Sequence, residues 1–278
     1  MKKSYLFITI VVFLIYLVVS RRLFFKSDSF KISFFDVGQG DSALIITPGG
    51  QTILIDGGPD RKVLKELGSS LPFWQRQIDL MIITHAHDDH ISGLIEVSRR
   101  YQIKNVLYNN LNFKTPALEA LLETFKKNKT NLTKAVPEST LELDSGCSLS
   151  VLSALGEEQK NDNDYSIVTM FNCLNKKVLL TGDAGVAVEK YLLTKQVDLA
   201  ADIFKVAHHG SLSASSPDFL AAVKPRVAII SVGADNKFGH PAPITLDKLR
   251  VLSLDTYRTD YLGTISFLAN YKSIILRK

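Results

Sequence analysis

Cysteine is scarce in this chain. Of 278 residues only Cys147 and Cys173 carry a thiol, and they stand in separate strand-like runs. No C-x-x-C pair exists, which excludes the paired-cysteine zinc and redox motifs. Both cysteines are expected as small core residues; a disulfide is expected only if the domain lies outside the reducing cytoplasm. Internal repeats and low-complexity tracts are also lacking, which excludes solenoid and fibrous architectures.

The globular part lacks net charge as well. The formal excess is +5, but Lys2, Lys3, Arg21, Arg22, Lys26 and Lys31 against Asp28 account for all of it within residues 1–31. The remaining residues carry 27 basic and 27 acidic side chains. Bulk charge therefore lends no support to a nucleic-acid surface, and the excess belongs to a membrane flank. Charge is missing altogether from Ser4 to Ser20. As a helix that run spans about 25 Å, slightly short of a hydrocarbon core near 30 Å, and flanking Lys and Arg snorkel to close the gap. Arg21 and Arg22 follow where a cleaved leader has small residues, so residues 1–30 are expected to be an uncleaved single-pass anchor and its linker. Positive charge flanks both sides and leaves the orientation open.

Apolar residues make up 46% of the chain, enough for a sizeable core over residues 31–278. "KISFFDV", "ALIIT" and "TILI" read as a strand meander punctuated by "PGG". Strands and helices then alternate, from the helix at "RKVLKELGSS" through the strands "QIDLMIIT" and "KNVLYN", until the chain turns polar and irregular near 128–146. A second mixed set follows, from "SLSVLSAL" to the C-terminus. Two successive mixed sets predict two sheets packed face to face with helices outside. A doubly wound parallel sheet does not accommodate the opening meander.

Histidine, though sparse, is concentrated. His85, His87 and His90 fall within six positions of "MIITHAHDDHISGL"; the others are His208, His209 and His240, and residues 91–207 contain none. Each is predicted to lie in a loop just past a strand end, where sites are built on a rigid sheet. Imidazole nitrogen and carboxylate oxygen together suit a divalent cation. In H-x-H-x-D-H, His85 and His87 can serve one ion while Asp89 and His90 serve a second. Asp183, at the tip of "VLLTGD", is the natural shared ligand, and His208 or His209 completes the second ion.

These stretches resemble a known family. "THAHDDHISG", "LLTGD", "AHHGS" and "ISVGADNKFGHP" are similar to the metallo-β-lactamase-fold hydrolases. "FFDVGQGDS", "ILIDGG" and "NDYSIV" narrow the resemblance to the C-terminal hydrolase domain of ComEC-type DNA-uptake competence proteins, over about residues 31–270. The resemblance implies an α/β (α+β) fold, a four-layer αββα sandwich. It implies a dinuclear centre ligated by His85, His87, Asp89, His90, Asp183 and one of His208 and His209, with His240 nearby to hold substrate or donate a proton. Zinc is the implied ion and manganese the alternative. A usual middle histidine is missing, and Asn163 or Asp164 takes its place. Multiple membrane spans are also missing, so DNA transport is not expected. Asp36, Gln39, Gly40 and Asp41 form either a wall of the site or a tight turn. Asp56 is a candidate to orient a ligand histidine, and Ser211 either binds a phosphate oxygen or caps a helix.

The expected function is a membrane-anchored, metal-dependent hydrolase acting on a phosphodiester, nucleic acid among the candidates, with Asp89 orienting the attacking water. A hydrolase of a small ester, lactone or lactam on the same ions is the alternative. A non-catalytic anchored metal-binding module is the third possibility. No protein partner is evident.

Overall fold

The computed structural model describes residues 27–112, 114–156 and 159–277. The expected membrane anchor therefore lies outside the described residues. Among the described residues no helix is long and apolar enough to cross a membrane.

The N-terminal half supplies β1 (Phe30–Phe34), β2 (Ala43–Ile46), β3 (Thr52–Ile55), β4 (Gln77–Ile83), β5 (Gln102–Tyr108) and β6 (Asn131–Lys134). A second sheet is built from β7 (Thr140–Glu142), β8 (Ser148–Ser153), β9 (Val168–Cys173), β10 (Lys176–Leu180), β11 (Ile203–Lys205), β12 (Val227–Ile230) and β13 (Asp255–Arg258). The chain then returns to the first sheet with β14 (Ile265–Ala269) and β15 (Ile274–Arg277). The strand orders are β15-β14-β1-β2-β3-β4-β5-β6 and β13-β12-β11-β10-β9-β8-β7.

Helices α1 (Lys62–Ser70), α2 (Asp88–Arg100) and α3 (Pro116–Asn128) cover the first sheet, and α4 (Val186–Thr194), α5 (Pro217–Val223) and α6 (Pro243–Val251) cover the second. The four-layer αββα expectation is met. The apolar runs explain it. A strand covered on both faces needs apolar residues at every position. In β3, Ile53 and Ile55 face the opposite sheet while Leu54 packs under the helices. On the helices only one stripe is buried, for example Leu118, Leu121 and Phe125 of α3. Thr115 caps α3, its hydroxyl accepting from Leu118 N at 3.2 Å, and Pro116 opens it.

The parallel strands set the direction of the molecule. β3, β4 and β5 run parallel, as do β10, β11 and β12. Asp56, His85, Asp183 and His208 all follow C-terminal strand ends, so the two sheets deliver them to one edge of the sandwich.

Three expectations are corrected. The stretch 128–146 is not wholly irregular: β6 and β7 lie in it. All four residues of β6 are exposed, so no apolar alternation marks an edge strand that forms by pairing with β5. His90 is not in a loop but in the first turn of α2. Finally, Cys147 and Cys173 are not separate core thiols. The β8–β9 register sets Ser148 against Asn172 and so places the two cysteines opposite each other, 4.3 Å apart at Cα and disulfide-bonded.

Phe171 is fully buried between the sheets, its ring edge-on to Phe30 at 5.1 Å. The change Phe171→Ala is expected to cost about 3–5 kcal/mol, read as a shift in the urea unfolding midpoint, because the cavity cannot collapse between two sheets.

Candidate metal centre

The site is assembled from strand ends. As β4 ends, Thr84 N and Thr84 Oγ1 donate to the two oxygens of buried Asp56, at 2.9 and 2.6 Å. The same carboxylate takes His90 Nδ1 at 2.8 Å, which leaves His90 Nε2 directed into the site. Asp56 thus holds the start of α2 against the end of β3, the orienting role anticipated from its position. Asp183 follows β10, and its N–H donates to Ser166 Oγ at 3.0 Å. After β11 the backbone places His208 and His209 in succession at φ 51° and 54°. Such conformations cost free energy and concentrate at functional sites. His209 Nδ1 then donates to the Ser231 carbonyl at 2.9 Å, and its Nε2 points inward.

The "DVGQGDS" loop closes the back of the site. A Cβ at Gly40 would lie 2.1 Å from the Asp89 carbonyl, so only glycine lets the loop press against α2. Asp41 is buried there. It is an interior acid of the site, not a mere turn residue.

The inward-facing atoms converge. Asp183 Oδ2 lies 3.4 Å from His90 Nε2, 3.5 Å from His209 Nε2 and 3.8 Å from His208 Nε2. Asp89 Oδ2 lies 3.4 Å from His209 Nε2 and 4.0 Å from His90 Nε2. His85 Nε2 meets His87 Nδ1 at 3.0 Å. Two of the groups close enough to share a cation are His85, His90 and Asp183, and Asp89, His90 and His209.

Of the expected ligands, His85, Asp89, His90, Asp183 and His209 therefore meet. His87 stands beside His85 at the cleft edge. The sequence left His208 and His209 open; the structure turns His209 inward and leaves His208 at the rim, its Nδ1 2.9 Å from Ser213 Oγ. His240 is farther out, its ring 5.6 Å from that of His208 and stacked on Phe238. Asn163 faces the site, with its amide nitrogen 3.4 Å from the His208 ring, whereas Asp164 accepts from Gly185 N at 3.1 Å and serves the loop.

Sequence reasoning missed Lys205. Its ammonium is buried beside Asp41, donates to the Gly182 carbonyl at 3.0 Å and lies 3.8 Å from Asp183 Oδ1. The available signal was a lysine inside the apolar run "DIFKVA", where only a paired charge is tolerated.

The buried acids set the electrostatics. Burial opposes ionisation of Asp183, yet His209 and His90 hold it well below the usual carboxylate range. Burial likewise opposes protonation of His209, but Asp183 first, with Asp41 and Asp89, raises it to about 9. His90 is raised for the same reason by Asp183 and Asp56, against its burial. His85 is pushed well below its ordinary value by burial and by His90. Burial would depress Lys205, but Asp41 and Asp183 keep it charged.

Several of these buried atoms have no hydrogen-bond partner: His90 Nε2, His209 Nε2, Asp183 Oδ1, Asp41 Oδ1 and Asn163 Oδ1. Buried polar atoms are rarely left unsatisfied, and exceptions call for an ion or another guest. Two oriented imidazole nitrogens facing two carboxylates are a fitting donor set for a divalent cation.

The sequence profile of the metallo-beta-lactamase superfamily matches residues 35–234. This chain belongs to that superfamily. Among similar proteins, ComE operon protein 3 of Bacillus subtilis is 27% identical over 254 residues, 85% of this chain and 33% of that protein. Recombination protein 2 of Haemophilus influenzae is 29% identical over 226 residues, 80% of this chain and 26% of that protein. The chain thus spans only a minor part of both relatives' length. The metallo-beta-lactamase fold protein YhfI from Bacillus subtilis superposes with a TM-score of 0.54 at 13% identity, covering 88% of this chain and 99% of that one. Zn(2+)-bound PqqB from Methylobacterium extorquens gives 0.54 at 14%, covering 79% and 85%. These two likenesses show the superfamily fold.

Two outcomes are expected for the metal-free protein. His209 is raised on folding from 6.5 to about 9, so its contribution to stability is complete below about pH 6.5 and is lost as pH rises towards 9. Urea midpoints in chelator at pH 6.5 and 9 are expected to fall with pH, and to fall less in His209→Ala. The change Lys205→Met leaves Asp41 buried without its ammonium partner, and is expected to cost about 3–5 kcal/mol in the same assay.

Proposed function

We propose that this chain is a membrane-anchored, metal-dependent hydrolase acting on phosphodiesters, nucleic acid among them. The convergence of buried, oriented and unpartnered ring nitrogens on Asp183 carries this proposal. In it residues 1–30 are anchor and linker, and residues 31–278 are the hydrolase domain. His85 and His87, with Asp183 and the Asn163 amide oxygen, would hold one ion. Asp89, His90 and His209, with Asp183, would hold the second. Imidazole and carboxylate ligands favour zinc, and the amide oxygen in place of an imidazole admits manganese. When bound, divalent cations supply Lewis acidity and lower the pKa of a bound water towards about 7.

The protein's own groups do the rest. Asp89 keeps its side chain 34% exposed to the cleft, and His209 and His90 outweigh its burial to hold it below the usual carboxylate range. It is an anion at neutral pH, able to accept a hydrogen bond from the attacking water and orient it. His240 is depressed by burial and by His208 and His209, and its buried Nδ1 has no partner. As a neutral imidazole on the rim it meets a substrate oxygen through a hydrogen bond, as does His208. Lys205 holds Asp41 and Asp183 in place beneath them. The phosphodiester preference rests on the likeness to the competence-protein branch.

The test is metal analysis of the purified full chain, followed by a chromogenic phosphodiester and a chromogenic lactam with the ion supplied. Two ions per chain and phosphodiester turnover are expected. The change Asp183→Asn should remove at least one ion and lower turnover by roughly 100-fold or more while the fold is kept. Less than one tight ion per chain, or turnover of the lactam alone, would sink the proposal.

A further inference from the structure

The end of the sandwich opposite the metal centre has a character of its own. The parallel strands start there and the site lies where they finish. Ser27, the first described residue, enters at this end: its N–H donates to the Pro48 carbonyl in the β2–β3 turn at 3.0 Å, and Phe30 pairs with Ala269 beside the β14–β15 turn. The apolar run Ser4–Ser20 therefore stands only six residues ahead of the point where the chain joins this face.

The face is aromatic and basic. Phe73 and Trp74, in the loop that leads into the start of β4, are 80% and 50% exposed, and Tyr271 in the β14–β15 turn is 64% exposed. Isolated exposed apolar side chains are ordinary, and Phe238 and Tyr261 are exposed towards the site end, but Phe73, Trp74 and Tyr271 share the end at which the chain enters. Beside Tyr271 lies an open depression of about 710 Å³ whose lining includes Lys176, Lys224 and Arg226. Among the described residues none of these three cations pairs with a carboxylate, whereas neighbouring Lys177 is engaged by Asp198 at 2.5 Å. Helices α2 and α3 end towards the same side, on Arg99 and Arg100 and on Lys126 and Lys127. The acids of the metal centre all lie at the far end. Asp202 also lines the depression, and Asp144 and Asp79 stand at the same end, so the excess of cations is local to Lys176, Lys224 and Arg226.

We infer that this basic, aromatic end docks on the anionic headgroups of the bilayer and aims the metal centre away from the membrane. The inference rests on the anchor reading for residues 1–30. Tryptophan and tyrosine favour the headgroup level, and each basic side chain near an anionic surface adds binding free energy. Nucleic acid is the other polyanion that such charge attracts, but exposed Phe73 and the adjoining chain entry fit a lipid interface. Substrate then reaches the site from the aqueous side.

Trp74 is the only tryptophan, so selectively excited tryptophan fluorescence reports this face alone. The full chain is reconstituted in neutral phosphatidylcholine vesicles and in vesicles with phosphatidylglycerol added. Insertion of the anchor is scored separately, by resistance to alkaline carbonate extraction. With phosphatidylglycerol a blue shift of Trp74, and acrylamide quenching reduced about twofold or more, are expected. The change K176E/K224E/R226E should abolish both, and Phe73→Ser should weaken both, with the metal content unchanged. An inserted chain whose Trp74 ignores the anionic lipid overturns the docking face and leaves the anchor standing. A chain that extracts freely yet shows the lipid response overturns the anchor and keeps the face. If an oligonucleotide shifts Trp74 and anionic vesicles do not, the surface is a nucleic-acid contact and the inference fails.

Discussion

Four carboxylates share one edge of this protein. Asp41, Asp56 and Asp183 are buried outright, and Asp89 is largely so. Mutual repulsion at such distances is tolerable only with compensating positive charge. The chain supplies part of it: Lys205 lies between Asp41 and Asp183, and His90 and His209 lean towards the cationic form under the pull of the same acids. The imidazoles do this while their inward nitrogens make no hydrogen bond. A cation can displace those protons and take up the same lone pairs. The rest of the structure serves to keep these opposing charges in register.

That service is performed by the sheets. Parallel strands in each sheet finish at a common edge, so loops far apart in the chain are brought together without long excursions. The orienting bonds are short and local. Asp56 ties the end of β4 to the first turn of α2, and Ser231 fixes the ring of His209. The close approach of Gly40 to Asp89 locks the "DVGQGDS" loop behind α2. Each device restricts a ligand's rotamer before any ion arrives, which lowers the ordering cost of binding.

The same polarity organises the other end. Helix C-termini, strand starts and the chain entry all lie there, and basic side chains suit helix C-terminal dipoles. One architectural choice, the common direction of the parallel strands, thus places the histidine-rich cluster at one edge and the chain entry, with Phe73, Trp74 and Tyr271, at the other. Under the proposed anchoring, the second edge faces the bilayer and the first faces solution.

What the sequence determined alone was mostly local. The apolar runs foretold almost every strand and helix, because residues buried on two faces must be continuously apolar. The density of His85, His87, Asp89 and His90 marked the stretch that the fold brings against Asp183 and His209. Asp183 was legible from its place at a strand tip. The exposed edge strand β6 was not, because it carries no burial pattern. Which of His208 and His209 turns inward was decided by two consecutive left-handed residues and the Ser231 carbonyl, neither visible in a spacing. Lys205 and Asp41 became partners only when β11 passed behind the first loop, and Cys147 met Cys173 only through the register of β8 on β9. Pairings between side chains distant in sequence depend on sheet register and crossover, and those are properties of the assembled layers.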